Sequence, residues 1–334
     1  MKEIIFATSF SPEYAKYLGT NPIEILRIIH EELGINDIRL GLRWNNIEKE
    51  KGKISLEEYD KYIKYCIKHK CKICLNVGPI KVMRWPEEHI PHWIDTEGID
   101  MVEKDSELAK YALEYFHKVL TLLKKEYGRD LTPGKGVSFQ IENESYNRFG
   151  QKKIIMSEGY MVDVAKILNE YFPGNKLMLN SSARNDIRKV MSLFETLISS
   201  NIYSWEKFII GLNFYFKLPN RFSFTERINP WFFSKPFSMS LSKLKRLQRE
   251  KGFGIEVSEA QFEPWGFQKS PGNSYEDLKY VLRVATKVFS DQYSSQVIRL
   301  WGSEEIAMKM KGKNLTDEHS LIIEKVKNIN STLS

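Results

Sequence analysis

The sequence predicts an α/β protein of the (β/α)8, TIM-barrel type, and three observations carry that expectation. Eight short apolar, β-branched runs recur along the 334 residues. Each is followed by an amphipathic stretch of helical length. The segment after the first run, FATSFSPEYAKYLG, lacks the Gly-rich phosphate loop that an open, doubly wound sheet would want there. Strand–helix alternation argues for βαβ units, and eight units of about 40 residues each match a closed barrel.

The runs are EIIFAT, DIRLGL, KICLNV, VSFQIE, KLMLNS, FIIGLNFY, GIEVSE and QVIRLW. Continuous apolar character fits strands of a parallel sheet buried on both faces. The helices follow in order as NPIEILRIIHEELG, SLEEYDKYIKYCIKHK, SELAKYALEYFHKVLTLLKKEY, SEGYMVDVAKILNEYF, NDIRKVMSLFETLISS, SLSKLKRLQRE, SYEDLKYVLRVATKVFS and DEHSLIIEKVKNIN. In the third, apolar residues recur at spacings of three and four, the period of one helix face. No linker rich in Pro, Gly or Ser divides the chain, so residues 1–334 are expected to form a single catalytic domain. Two connections are long, Gly78 to about Asp105 and Phe216 to about Met239. Long loops tend to be functional, and in a barrel these two fall on the C-terminal face, where active sites form.

Composition narrows the class. Hydrophobic residues make up 42% and charged residues 28%, the balance of a globular protein with a core that needs neither disulfide nor metal. The net charge of +7 is spread over stretches such as KKIIMSEGYMVDVAK and KLKRLQREKG, which read as solvated faces. No basic motif appears, and no nucleic-acid partner is expected. Cys66, Cys71 and Cys74 are an odd, tight cluster whose one CxxC lacks a second ligand pair. The alternation in CKICLNV makes Cys74 a core residue. His89 and His92 form an HxxH without helical spacing or a third ligand, so they are read as subsite lining rather than metal ligands. No metal or cofactor is expected. The opening MKEIIFATSFSPEY is too short in apolar length for a signal peptide and carries Glu3, and no run approaches a membrane span. A cytoplasmic location is the expectation; the oligomeric state is left open.

The chemistry gathers at two strand ends. The fourth strand closes in QIENES, with Glu142, Asn143 and Glu144; the seventh closes in EVSEAQFEPW, with Glu256, Glu259 and Glu263. Retaining glycosidases use two carboxyl groups about 5–5.5 Å apart. One protonates the departing oxygen and then deprotonates water; the other attacks the anomeric carbon. Alternation along a strand puts Glu142 and Glu144 on one side, differing in depth, and Glu144 lies nearer the C-terminal end. The same argument prefers Glu259 to Glu256. A second clue is aromatic. Trp44, Trp85, Trp93, Trp231, Trp265 and Trp301 fall at or after strand ends, and sugar C–H faces pack on such rings. Trp44 and Trp265 are assigned to substrate binding on this ground. NPWFFSKPF reads as a cover for the cleft or a contact surface. Asn76, Lys81 and Asn180, also near strand ends, are open to two readings, hydroxyl contact or capping.

These features resemble clan A of the glycoside hydrolases, in which the catalytic glutamates close strands 4 and 7, and most nearly its family 5, cellulase-like group. The resemblance runs from about Ile38 to Trp301. It implies that Glu144 is the acid/base, that Asn143 hydrogen-bonds the 2-hydroxyl of the reacting sugar, and that Glu259 is the nucleophile. IRLGLRWNNIEKEKG resembles the strand-2 segment; it makes Arg39 the arginine that keeps the nucleophile ionised, with Arg43 as competitor. GLNFYF implies that Tyr215 donates to the nucleophile, and RLWG that Trp301 floors the reactive subsite. The segment GPIKVMRWPEEHIPHW departs from family 5, which often has a His at the end of strand 3 where Asn76 or Gly78 stands here. Oligosaccharide, polysaccharide or glycoside substrates are implied. The competing readings are a non-catalytic carbohydrate-binding barrel, a transglycosylase using the same glutamates, and a phosphate-binding barrel. The last would want Gly-rich turns that SEAQFEPWG and WGSEEI do not supply.

Overall fold

Eight strands form a closed parallel barrel: β1 (Ile4–Phe10), β2 (Asp37–Gly41), β3 (Lys72–Gly78), β4 (Val137–Ile141), β5 (Lys176–Ser181), β6 (Phe208–Phe214), β7 (Gly254–Gln261) and β8 (Gln296–Trp301). They neighbour one another in chain order, and β8 pairs in parallel with β1, Ile4 opposite Gln296. Each coincides with one of the eight apolar runs. The computed structural model describes residues 4–181, 184–214, 242–261, 275, 278–279, 281–283 and 296–331. Two compact units divide the chain, residues 39–211 with 251–254, and residues 1–38, 212–250 and 255–334.

In the first of these units, the helix Glu107–Tyr127 starts where Ser106 Oγ accepts the Ala109 N–H at 3.2 Å. It buries Leu108, Ala112, Tyr115, Phe116, Val119, Leu120 and Leu123, one face at helical spacing. Each large apolar side chain so buried contributes roughly 1.5–3 kcal/mol. Its neighbour Glu158–Tyr171 is capped the same way by Ser157 and packs in turn against Arg184–Ser199. A ribbon of Met101–Val102 and Ile155–Met156, which the sequence does not announce, ties the long connection after β3 to the one after β4. In the other unit, the helices Ser303–Lys311 and Asp317–Ser331 pack on β1. Asn330 latches the last helix there: its Oδ1 accepts Phe6 N–H and its Nδ2 donates to Gly34 carbonyl, both at 2.9 Å.

Helix details differ from the sequence reading in three places. The stretch 21–34 is a helix Pro22–Arg27 that passes into a five-residue π turn, Ile28–Glu32. Short helices Pro12–Tyr17 and Trp44–Ile47 follow β1 and β2. Most of the predicted helix 274–290, and the connection from Phe216 to Met239, lie outside the described residues. Among the described residues no helix is long and apolar enough to cross a membrane.

Polar side chains sit buried in the C-terminal parts of otherwise apolar strands: Thr8 and Ser9, Arg39, Asn76, Gln140, Asn180, Asn213, Ser258 and Glu259. Burying such groups costs free energy unless each is hydrogen-bonded.

Candidate active site

The long connection after β3 is tied down by buried polar contacts. Asn76 Oδ1 accepts Met83 N–H at 2.9 Å, which folds the loop back over the strand end. The His89 ring nitrogen Nε2 lies 3.2 Å from the Arg84 carbonyl; burial first, and then the Arg43 charge, hold its pKa well below the usual histidine range. Glu88 accepts from the Lys152 and Ile154 N–H groups, each at 3.3 Å. Gly150, at φ +124°, lets the facing chain approach: a Cβ there would lie 2.3 Å from Glu88 Oε1. The buried Lys81 ammonium donates to three carbonyls, of Glu144 at 3.2 Å, Asn147 at 2.9 Å and Phe149 at 3.0 Å. Asn76, Lys81 and His89 therefore have structural partners rather than open donors.

β4 ends at Ile141, and the alternation of side chains ends with it. Glu142 and Glu144 both adopt positive φ, +39° and +45°, where a non-glycine residue carries strain of order 1–3 kcal/mol. Their side chains part company. Glu142 accepts the Ile80 N–H at 3.1 Å, the Lys81 N–H, and the Tyr160 hydroxyl at 2.7 Å. Burial pushes its pKa up to about 7, against the pull of those donors. Glu144 sits beyond it, nearly buried, with Asn147 Nδ2 at 3.4 Å from Oε2.

Around Glu144 lies a network of side chains. Arg39 donates from Nε to Gln140 Oε1 at 2.7 Å and from Nη2 to Asn143 Oδ1 at 2.6 Å. Gln140 Nε2 donates to Asn180 Oδ1 at 3.0 Å and Asn143 Oδ1 at 3.2 Å. Asn180 Nδ2 donates to Asn143 Oδ1, and its Oδ1 accepts the Glu144 N–H, both at 2.8 Å. Asn143 Nδ2 donates to Glu87 Oε2 at 2.6 Å. Arg39 is wholly buried in this network, whereas Arg43 stands at the start of the short helix after β2, its N–H on the Tyr59 hydroxyl at 3.2 Å. Sequence reasoning passed over Gln140 and Glu87. The signal for Gln140 was a polar residue inside an apolar strand; Glu87 offered none.

In the other unit, Glu259 is fully buried on β7. Opposite it, Ile298 pairs with Val257 but Leu300 pairs with Ala260, so β7 carries one residue more than β8 across this step. A bulge of this kind re-aims side chains, and bulges gather beside active sites. Asn213 Nδ2 donates to Glu259 Oε2 at 3.1 Å; Ser258 Oγ donates to Asn213 Oδ1; Ser9 Oγ donates to the Ser258 carbonyl at 3.3 Å. Asn213 stands two positions before Tyr215, in the segment that drew attention to that tyrosine, and was missed. Glu256 is spoken for: with Asp37 it binds the buried Arg299, Nη2 to Glu256 Oε2 at 2.9 Å. Trp301 ends β8 and is 8% exposed. Tyr215, Trp231, Glu263 and Trp265 lie outside the described residues.

The expectation of a sugar platform at Trp44 is corrected. Its ring is 0% exposed, stacks on Tyr115 at 4.9 Å between centroids, and donates from Nε1 to Glu48 at 2.7 Å. The short helix at 44–47 turns it inward. Trp85, by contrast, is 61% exposed and stands edge-on to Phe149. Among the described residues of either unit taken by itself, no three His, Cys, Asp or Glu side chains come together as a metal-ligand set.

Comparison with known proteins agrees with this architecture. The sequence matches the model of glycosyl hydrolases family 35 over residues 24–284. No curated protein matches it significantly. Among solved structures, an intracellular xylanase from Thermoanaerobacterium saccharolyticum, in complex with xylotriose, is similar at 16% identity and TM-score 0.53, over 90% of this chain and 86% of that one. A family 5 lichenase from Caldicellulosiruptor, in complex with cellotetraose, gives 15% identity, TM-score 0.55, and 90% and 84% coverage. A family 10 protein from Paenibacillus barcinonensis gives 14%, 0.55, and 90% and 84%. The clan-level resemblance stands, and the family is 35 rather than 5. With strand-end glutamates on a closed barrel and a family match over most of its length, this chain belongs to the glycosyl hydrolases of family 35.

Proposed function

We propose that this glycoside hydrolase cleaves β-glycosidic bonds with retention, through a covalent glycosyl-enzyme, as a single catalytic domain. Glu144 protonates the glycosidic oxygen while Glu259 attacks the anomeric carbon, so one C–O bond forms as the other breaks. Glu144, now a carboxylate, takes a proton from water; the water oxygen displaces Glu259 and restores both groups. The observation that carries the reading is that Glu144 follows Asn143 at the end of β4 in a family 35 chain, with its own backbone N–H held by Asn180. Asn143 has one amide hydrogen beyond its bond to Glu87, which suits donation to a sugar hydroxyl. Arg39, Tyr215, Trp265 and Trp301 complete the proposed substrate and nucleophile contacts. Xylo- and gluco-oligosaccharides, the sugars bound by two of the similar structures, head the substrate panel. The buried thiols of Cys66, Cys71 and Cys74 suit a reducing cytoplasm.

Incubation with 2-deoxy-2-fluoro-glycosyl fluorides, followed by peptide mass spectrometry, tests the assignment. The adduct is expected on Glu259. An adduct on any other carboxylate, or turnover in a Glu144→Ala protein equal to the parent's, overturns it.

A further inference from the structure

The amide of Asn180, on β5, touches both of the β4-end residues that the proposed function uses. We propose that Asn180 is a positioning residue for the general-acid step, fixing the main chain from which the Glu144 carboxyl projects; this rests on the assignment of Glu144 as acid/base.

The orientation of every amide in the network follows from its two ends. A guanidinium can only donate, so the Gln140 atom that Arg39 Nε meets at 2.7 Å is the carbonyl oxygen. Gln140 Nε2 is then the donor, and the Asn180 atom 3.0 Å away is an acceptor, Oδ1. That leaves Asn180 Nδ2 to donate to Asn143 Oδ1 at 2.8 Å. At the far end, Asn143 Nδ2 meets a carboxylate oxygen of Glu87, an acceptor. No amide in the series can flip without setting donor against donor. Asn180 Oδ1 is thereby committed as an acceptor, and it takes the Glu144 N–H at 2.8 Å. Glu144 needs that hold: its φ of +45° is one that a non-glycine residue keeps only when its surroundings impose it. Lys81 grips the Glu144 carbonyl at 3.2 Å, so Asn180 and Lys81 fix the two sides of the residue.

A displaced acid fails selectively. Leaving groups of low basicity depart without protonation, whereas basic ones depend on it, and the step contributes about 10²–10⁴-fold. The test measures kcat/KM, which reports glycosylation, for 2,4-dinitrophenyl, 4-nitrophenyl and phenyl β-glycosides of the sugar that is turned over. For Asn180→Ala we expect a loss of about 10–100-fold on the phenyl substrate and under about 3-fold on the dinitrophenyl one, with KM near the parent's. Glu144→Ala is run beside it and is expected to give the same gradient, steeper. If Glu144→Ala shows the gradient but Asn180→Ala lowers all three substrates equally, the inference fails while the function stands. If Glu144→Ala shows no gradient, the acid/base assignment fails and takes the inference with it. Asn180→Asp keeps an acceptor for the Glu144 N–H and carries the test should the alanine protein not fold. It is expected to give a shallower gradient than alanine; one equally steep overturns the clamp.

Discussion

The ends of β4 and β7 each present a pair of glutamates, and in each pair one carboxylate is structural. At β4, Glu142 is consumed by two backbone N–H groups and Tyr160, while Glu144 lies past it. At β7, Glu256 joins Asp37 on Arg299, while Glu259 is held by the neutral amide of Asn213. The means differ. β4 separates its pair by leaving the strand through two residues of positive φ; β7 stays in the sheet and inserts a residue. Neither device follows from alternation, which assigns faces only while a strand keeps its pleat. Neighbours, rather than depth, tell the members of each pair apart: two backbone N–H groups and Tyr160 hold Glu142, and Arg299 ties Glu256 to Asp37.

Replacing Glu259 by Gln is expected to lower kcat/KM on aryl glycosides by roughly 10³-fold or more, whereas Glu256→Gln stays within a few-fold of the parent. A dead Glu256→Gln enzyme beside an active Glu259→Gln one would reverse the roles. Next in size, Arg299→Met strands the buried Asp37 and the half-buried Glu256 carboxylates, and urea unfolding should show a loss of about 3–5 kcal/mol. A loss under about 1 kcal/mol would mean that the cluster is not what commits Glu256 to structure.

Glu142 sharpens the β4 side through pH. Its folded pKa, about 7, lies above the 4.5 of an ordinary glutamate, so the folded protein holds the proton more tightly than the unfolded chain. The stability this contributes is whole below pH 4.5 and is lost as pH climbs through 7. The difference is on the order of 3 kcal/mol. Denaturant unfolding at pH 5 and pH 8 should therefore show a steeper decline in the parent than in Glu142→Gln; identical declines would count against a proton held at this site. The smallest effect belongs to Trp44. Changing it to Phe forfeits ring volume and the bond to Glu48, about 1–2 kcal/mol in thermal or urea melts, with KM unchanged. A raised KM at full stability would restore it to the substrate's side.

The barrel was legible because its strands are buried on both faces, so the apolar runs from EIIFAT to QVIRLW stand out without knowledge of the third dimension. Helix starts were legible at Ser106 and Ser157, where a serine precedes the apolar stripe and caps it. Among the site residues, Asn143, Glu144 and Glu259 are marked by their place at strand ends. Their support is not. Gln140 and Asn180 are single amides in strands, and only the closing of β4 against β5 gives them each other. Glu87 acquires a partner through a loop whose path no periodicity describes. Trp44 misled because its distance from the strand end implied an upward face, and a single turn of helix rotated it into the core.

Lys81 sets a length rule for the chain that leaves the acid/base. An ammonium has three hydrogens, and here they are spent on the carbonyls of residues 144, 147 and 149. The spacing of those acceptors is counted in whole residues, so one residue added or removed between Glu144 and Phe149 would leave a buried cation facing the wrong carbonyl. Variation in this enzyme's loops is therefore expected to spare that stretch and to accumulate past it, where the polypeptide answers to no fixed tally of oxygen atoms.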